Sequence, residues 1–430
     1  MFLMRILFFY LLGSSFLIFS TIPGTIELPT FSIHQECLNA ESTPVVQLCF
    51  AYNILPDYIV TGGGGIDDLA GLLTSGSATI TQATGMANLT TNTTLGSAAV
   101  LASKARLSYQ SGVGANMIFS AVFDTGTIGN LQYVGLGNAQ NGFFLGYTGT
   151  SLGILRRNNS VDTWTDQTNW NGDPVNTGID EASSFNLNPQ YGNVYKIQYQ
   201  WLGFGVIKFY VQNPYDGSWV LMHTIRYPNS VVATGPSVQN PALQLLAVNS
   251  NDPSTNSNIT LKIPCMAGAL EGYQAGPEIY TRFGKNFTEP SVTATLGNIL
   301  SIRNNSTYAG LNNQVMVFPD FLSIYNASTT VGVIVRVYLN PTVGGVPAYT
   351  SVNANSVVSY DTAGTTITGG KEIMTIFVIN SIGTDRGAVN INLFDKHISL
   401  SPGDRLVVAA QAVSGTLTNI GIGLSWYEKQ

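Results

Sequence analysis

The chain predicts an all-β fold, two antiparallel β-sandwich (jelly-roll-like) domains in tandem, and three observations carry that expectation. The first is the stretch from Asn193 to Tyr227, where apolar and polar residues alternate through three runs. Tyr195, Ile197, Tyr199 and Trp201 oppose Lys196, Gln198 and Gln200, while Ile207, Phe209 and Val211 oppose Lys208, Tyr210 and Gln212. Beyond the turn at Asn213–Gly217, Trp219, Leu221, His223, Ile225 and Tyr227 form a third apolar row. A side-chain period of two, broken by Gly, Pro, Asn and Asp, belongs to an antiparallel meander with one buried face. The second is charge: only 10% of residues are Asp, Glu, Lys or Arg, against roughly 25% in an ordinary soluble domain. Exposed helix faces draw on those residues, whereas Asn, Gln, Ser, Thr and Gly suit strand surfaces and turns. The third is punctuation. Glycine and proline recur so often that no long helix is needed, and Asp67–Leu73 is the one modest helical candidate.

A chain of 430 residues has length for two domains of about 150–200 residues each. Residues 1–22 hold a single charge, Arg5, and an apolar run from Ile6 to Phe19. That run is short for a span of about 20 residues. It reads as a signal peptide's apolar region or an uncleaved anchor, with a buried element of the first domain as the alternative. Residues 23–44 form an N-terminal arm or linker. Short alternating runs then fill residues 45–268: Met117–Phe123, Tyr133–Leu136, Phe143–Tyr147, Gly153–Leu155, the meander and a closing strand at Ile259–Ala267. Residues 269–276 read as the linker between domains. Residues 277–430 carry a second β-series that ends in two well-alternating runs, Leu406–Val413 and Ile420–Trp426.

Net charge is −6 with no basic run, so the electrostatic footprint of a nucleic-acid binder is absent. Arg156-Arg157 is the densest basic spot and reads as a solvated strand end. Cys37 and Cys49 are spaced to close a short disulfide loop in an oxidising compartment, with Cys265 left over; the spacing is not that of a zinc site. Eight N-x-S/T sequons stand at Asn88, Asn92, Asn158, Asn258, Asn286, Asn304, Asn305 and Asn326, about as many as chance gives in so Asn-rich a chain.

Catalytic machinery is sparse. Three histidines occur, and His223 shares an apolar row, which suits a packed residue better than a general base. No nucleophile elbow, no zinc-protease helix and no phosphate-binding loop is present, and no cofactor or metal is called for. Gly62–Gly65 and Gly135-Leu136-Gly137 suit tight turns. The acidic residues Asp162, Asp166, Asp173, Asp180 and Glu181 sit in what reads as a loop. Glycosidases on sandwiches place paired carboxylates on alternating positions of one strand, so a solvated loop is the default here, with calcium binding and catalysis as the alternatives. The best binding candidate is the segment with Trp164, Asp166, Trp170 and Asn171. Tryptophan faces stack on sugars or anchor partners, the alternative being that one or both fold back onto the sandwich.

Several blocks carry a family resemblance: Gly135–Gly137 with Gly142–Thr150 and Gly153–Arg157; Gly192–Gly205 with Ile207–Phe209 and His223–Tyr227; Val358–Gly370; and Leu400–Asp404 with Gly421–Trp426. Together they resemble β-rich virion surface proteins of large DNA viruses and tailed phages, over residues 45 to the end. The resemblance implies a structural fibre, spike or capsid-associated protein, facing a receptor or glycan, without catalysis. It brings no site residues with it. Its implied partners are other virion proteins and further copies of this chain, a trimer being favoured, besides a host glycan or receptor. The apolar leader departs from the phage pattern and points to a virion that includes a membrane, or to a secreted relative. The runner-up is a secreted lectin, and a third reading is a glycoside hydrolase on a lectin-like sandwich. A surface so poor in charge implies binding that depends little on salt.

Overall fold

The expected alternation is realised as strands throughout a computed structural model. It describes residues 30–31, 37–38, 43–51, 70–107, 109, 112–176, 185–228, 235–271, 281–328, 330–379, 387–393, 398–414 and 418–429. The chain divides into two units, Met1–Asn39 and Ala40–Gln430. In the first, β1 (Thr30–Phe31) pairs with β2 (Cys37–Leu38). The apolar leader, residues 1–22, lies outside the described residues.

The second unit opens with β3 (Thr43–Cys49), β4 (Ala70–Ser75), β5 (Thr79–Ala83) and β6 (Met86–Thr90). Then come β7 (Ala98–Leu107), β8 (Gly114–Ala121), β9 (Asn130–Gly137) and β10 (Gly142–Thr148). β11 (Ser151–Asn158) and β12 (Val161–Asp166) form a hairpin, followed by a 3-10 turn at Gln167–Asn169. The meander supplies β13 (Asn193–Tyr199), β14 (Ile207–Gln212) and β15 (Trp219–Ile225). β16 (Leu243–Asn251), β17 (Thr260–Ile263) and β18 (Cys265–Glu271) complete the first half. Seven strands in the order β12-β11-β10-β9-β16-β7-β4 face six in the order β15-β14-β13-β8-β18-β3, and a three-stranded sheet β17-β6-β5 adds residues to the same core. Every pairing between these strands is antiparallel.

The second half has its own pair of sheets. Its strands are β19 (Thr281–Val292), β20 (Gly297–Asn304), β21 (Thr307–Tyr308), β22 (Leu311–Asn312), β23 (Met316–Asn326) and β24 (Val333–Leu339). They continue with β25 (Thr342–Gly345), β26 (Thr350–Ser351), β27 (Val358–Asp361), β28 (Gly364–Thr368) and β29 (Lys371–Val378). The last are β30 (Gly387–Asn392), β31 (Arg405–Ala412) and β32 (Thr418–Lys429). The sheet β19-β32-β23-β30 lies over the sheet β26-β27-β20-β31-β24-β29. Two separate cores follow: one drawn from residues between Val46 and Leu270, the other from residues between Val292 and Trp426. Among the described residues there is no α-helix, and no helix is long and apolar enough to cross a membrane.

Four expectations need correction. Ala70–Leu73, inside the helical candidate Asp67–Leu73, is strand β4, since tertiary pairing with β7 overrides a weak local preference. The expected linker, residues 269–276, begins too early: β18 continues through Glu271, with Ala269 and Leu270 buried. At the other boundary, Thr43 and Pro44 of the expected arm already belong to β3. In the meander, the third apolar row is out of phase at its start. A β-bulge beside Phe209 and Tyr210 shifts the register, so Trp219 and Leu221 stand opposite Gln212 and Tyr210 on the outer face. Val220 and Met222 take the core positions instead. One extra residue on a strand exchanges its faces, and no residue in Trp219–Ile225 announces it.

The other meander rows are inward as expected: Tyr195, Ile197, Tyr199, Ile207, Phe209 and Val211 are buried. Phe209 has no exposed surface. Its truncation to alanine is expected to lower stability by about 3–5 kcal/mol, read as an earlier midpoint in urea at unchanged slope. A loss below about 1 kcal/mol would contradict full enclosure of that ring.

Candidate functional site

Across the outer face of the seven-stranded sheet, the register lines side chains up in rows. Trp164 of β12 stands opposite Leu155, then come Phe144, Gly135, Leu246 and Ala102. One row over lie Asp166, Gly153, Gly146, Tyr133, Val248 and Val100. On the other side lie Asp162, Arg157, Gly142, Gly137, Gln244 and Arg106. Tyr133, Phe144, Leu155, Leu246 and Val248 form an apolar cluster distinct from the core beneath, with Trp164, Val100 and Ala102 packed against it.

The glycines explain the geometry. Gly135, Gly146 and Gly153 lie inside strands, and Gly137 and Gly142 are the facing end residues of β9 and β10, so Gly135-Leu136-Gly137 is strand rather than the expected tight turn. They leave room for rings to lie along the sheet. A Cβ on Gly137 or Gly142 would run into the Phe144 ring, and one on Gly153 would meet Trp164 ring carbons at 2.7 Å. Tyr133 and Phe144 rings sit 4.8 Å apart, tilted by 56°. The Arg157 guanidinium caps both, 5.5 Å from the Tyr133 centroid and 5.7 Å from that of Phe144.

Polar groups hold this surface in place. Arg157 donates from Nε to Asp162 Oδ1 at 2.7 Å and from Nη2 to Oδ2 at 2.9 Å. This two-pronged pair leaves the arginine side chain 14% exposed and the aspartate 47% exposed. Asp162, and to a smaller extent Tyr133, raises the Arg157 pKa further above its ordinary value, against the pull of burial. Trp164 Nε1 donates to Asp166 Oδ1 at 3.0 Å, and the Ser151 hydroxyl donates to the same oxygen. Arg156 faces the other way: it donates to the Ser237 carbonyl at 3.3 Å and to Thr163 Oγ1 at 3.1 Å, with a further bond to the Tyr227 hydroxyl. Both arginines of the expected solvated pair are therefore fastened.

The four expected contact residues separate into two places. Trp164 and Asp166 share the outer face, on a strand where a loop was expected. Trp170 is buried in the main core. Asn171 ties the segment down: its side-chain amide donates to the Thr224 carbonyl at 2.9 Å, and its carbonyl oxygen accepts from Thr224 N–H at 2.8 Å. Asp173 is buried and accepts from Val175 N–H at 2.8 Å. Asp180 and Glu181 lie outside the described residues, as do His34, His397 and Gly62–Gly65.

Two sequons cannot serve the folded chain. Asn304 and Asn326 have no exposed surface. Asn304 donates to the Val315 and Leu400 carbonyls at 2.8 and 2.9 Å, and Asn326 to those of Val331 and Ile379 at 2.9 and 3.1 Å. A glycan on either nitrogen would break these buried bonds. Asn88, Asn92, Asn158 and Asn305 are partly covered, and Asn258 and Asn286 are exposed. Cys265, expected to be left over, stands directly opposite Cys49 across β18 and β3. Among the described residues no group of three His, Cys, Asp or Glu side chains could hold a metal ion.

Sequence reasoning missed Arg157, Tyr133 and Phe144 as parts of one surface. The signal was present as glycine and aromatic residues sharing the alternate positions Tyr133, Gly135, Gly137 and Gly142, Phe144, Gly146. A second cluster was missed on the outer face of the six-stranded sheet, for want of the bulge. There the Lys196 ammonium lies 4.5 Å from the Tyr210 ring and 4.6 Å from that of Trp219. Burial lowers its pKa, partly offset by the nearby Glu271. Glu271 Oε1 accepts from the Asn116 side chain at 3.2 Å and from Gln198.

No family model and no curated protein matches the chain. Solved structures of similar strand arrangement cover about half of it. A prokaryotic β-1,3-1,4-glucanase (lichenase) derived from a mouse hindgut metagenome aligns over 52% of this chain and 97% of that chain, at 10% identity and a TM-score of 0.33. The Emp47p carbohydrate recognition domain aligns over 51% and 98%, at 12% identity and a TM-score of 0.30. A glycosyl hydrolase family protein from Mycobacterium fortuitum aligns over 53% and 99%, at 11% identity and a TM-score of 0.34. At such scores these likenesses carry no inference about what this chain does.

His223 supplies a pH test of the segment behind the site. Burial, then Arg226, holds its pKa below the ordinary 6.5, and its Nδ1 accepts from Asn171 N–H at 3.3 Å. The unfolded chain thus takes up a proton that the folded chain refuses. The contribution to stability is complete above about pH 6.5 and is lost as pH falls toward the folded pKa. Denaturation midpoints at pH 7.5 and 5.5 should fall more for the natural chain than for His223→Gln. Equal falls would show that His223 titrates alike in both states.

Proposed function

We propose that the chain is a carbohydrate-binding protein that holds its ligand at the β11–β12 edge of the seven-stranded sheet, without catalysis. The observation that carries this reading is Trp164: half-buried, seated on Gly153, its Nε1–H bonded to Asp166. A ring fixed in that way presents an apolar surface whose orientation is already set, so little side-chain entropy is lost when a sugar ring lies on it. Asp162 and Asp166 stand beside it on the same face with oxygen atoms for sugar hydroxyls, and Asp162 is the more exposed partner of its ion pair.

The same geometry argues against hydrolysis. Asp162 and Asp166 share a face of β12 but stand four residues apart, about 13 Å along an extended strand. Acid–base pairs in glycosidases work at roughly 5–10 Å. Asp162 is also bound to Arg157, and Asp166 to Trp164 and Ser151. The test is a glycan array followed by calorimetry on the best ligand. Trp164→Ala is expected to weaken binding about tenfold or more, near 1.4 kcal/mol, with its thermal midpoint kept close to that of the natural chain. Binding by Trp164→Ala at natural affinity, or polysaccharide hydrolysis abolished by Asp162→Asn, would overturn the reading.

A second reading, a structural protein at a virion surface, is supported by the sequence blocks and by one feature of the second half. Phe377, Ile379 and Val413 are 71%, 69% and 61% exposed, and Phe377 belongs to β29, at the edge of its sheet. An apolar edge of this kind suits subunit packing. Light scattering should then give a multiple of the 45.9 kDa chain mass, reduced to the monomer by Phe377→Ser with Ile379→Ser. A natural chain that stays monomeric at tens of micromolar would contradict assembly through this edge. Both readings place the protein outside the cytosol, reached through the apolar segment of residues 1–20.

A further inference from the structure

We propose that Cys49 and Cys265 form a disulfide that fastens the edge strand β3 to the six-stranded sheet. The two residues are register partners in the β18–β3 pair. Their sulfur atoms stand 2.7 Å apart, with the Cys265 thiol donating to Cys49 Sγ. Directly opposed residues of antiparallel strands have Cα atoms about 4.5–5.5 Å apart, inside the range of about 4.4–6.8 Å that a disulfide spans. No backbone movement is needed to close the bond.

The surroundings favour the reaction. Among the described residues β3 pairs with β18 alone and stands at the end of its sheet. Val46, Leu48 and Phe50 point into the core, which turns Cys49 to the outer face, where it is exposed and Cys265 half-covered. An oxidant therefore reaches the pair from solvent. Hydrogen bonds from Cys265 and from the Ala51 amide lower the Cys49 pKa, so Cys49 is the attacking thiolate. Burial, followed by the Cys49 contact, pushes the Cys265 thiol up to about 11.

With a small-molecule disulfide as oxidant, the Cys49 thiolate attacks one of its sulfurs and expels a thiolate, leaving a mixed disulfide on Cys49. Cys265 then loses its proton to solvent and attacks the Cys49 sulfur, expelling the second thiolate. Two protein thiols are oxidised, one small disulfide is reduced to two thiols, and two protons are accounted for. The second step speeds up as pH rises, because it needs the Cys265 thiolate. Cys37 takes no part.

The test is non-reducing peptide mapping of the full chain after equilibration in a glutathione redox buffer and alkylation of remaining thiols. The expected result is a linked peptide holding Cys49 and Cys265, with Cys37 alkylated. In Cys37→Ser the link should persist. In Cys265→Ser it should be absent, and the oxidised natural chain should melt about 5–10 °C above that variant. Reduction of the natural chain should remove the difference. A link from Cys37 to either other cysteine, or three alkylated thiols after oxidation of the folded chain, would overturn the proposal.

Discussion

Close approach of aromatic rings to a glycine-paved sheet is the constraint on which the candidate site depends. A sheet face ordinarily stands its side chains upright, about perpendicular to the strands. Here Phe144 lies over Gly137 and Gly142, and Trp164 over Gly153, because no Cβ is there to hold them off. Rings laid down in this manner bury area on a face that would otherwise meet water, at about 25 cal/mol per Å² of apolar surface. They also leave room for Arg157 to cap Tyr133 and Phe144 while it grips Asp162. The polar frame around Trp164 is thus set by packing beneath it rather than by flexible surface charge.

Neutral hydrogen bonding does elsewhere what charge does in most soluble proteins. Three ion pairs are formed among the described residues, and two of them join partly or largely exposed groups. Buried amides carry much of the fastening instead. Asn249 donates to the Leu89 and Ile259 carbonyls, each at 2.8 Å, which binds the three-stranded sheet to β16. Asn304 does the same between Val315 and Leu400. In the second half Asp361 accepts from Ala348, Ala363 and Gly364 N–H groups and from Asn298, so a carboxylate with no exposed surface is satisfied mainly by backbone. The Asn-rich composition that produced chance sequons is therefore internal joinery at two of those same positions, Asn304 and Asn326.

The fold was legible in the sequence because its rows are long and regular, as Tyr195–Tyr199 and Ile207–Val211 show. Phase was less so. The bulge that turns Trp219 outward has no residue signature, and it hid the Lys196–Tyr210–Trp219 cluster. β12 read as a loop because Val161, Asp162 and Thr163 are exposed at a sheet edge and carry no buried row of their own. Trp164 and Trp170 looked equivalent in composition, yet only position in the sheet separates a half-buried ring from a core one. The Cys49–Cys265 contact joins residues 216 apart, a distance over which local pattern is silent.

The central claim is that the seat under Trp164 makes the binding surface, and Gly153→Ala tests it most directly. A methyl there would press on the indole and on the Thr165 carbonyl, tilting Trp164 off the sheet while Trp164 itself remains. Calorimetry against the best sugar ligand, with urea denaturation followed in parallel, should show binding weakened about tenfold or more in a chain that still unfolds cooperatively, at a midpoint lowered by the strain on the β11–β12 pair. Natural affinity in Gly153→Ala would contradict the account, because the ring would then bind without its seat.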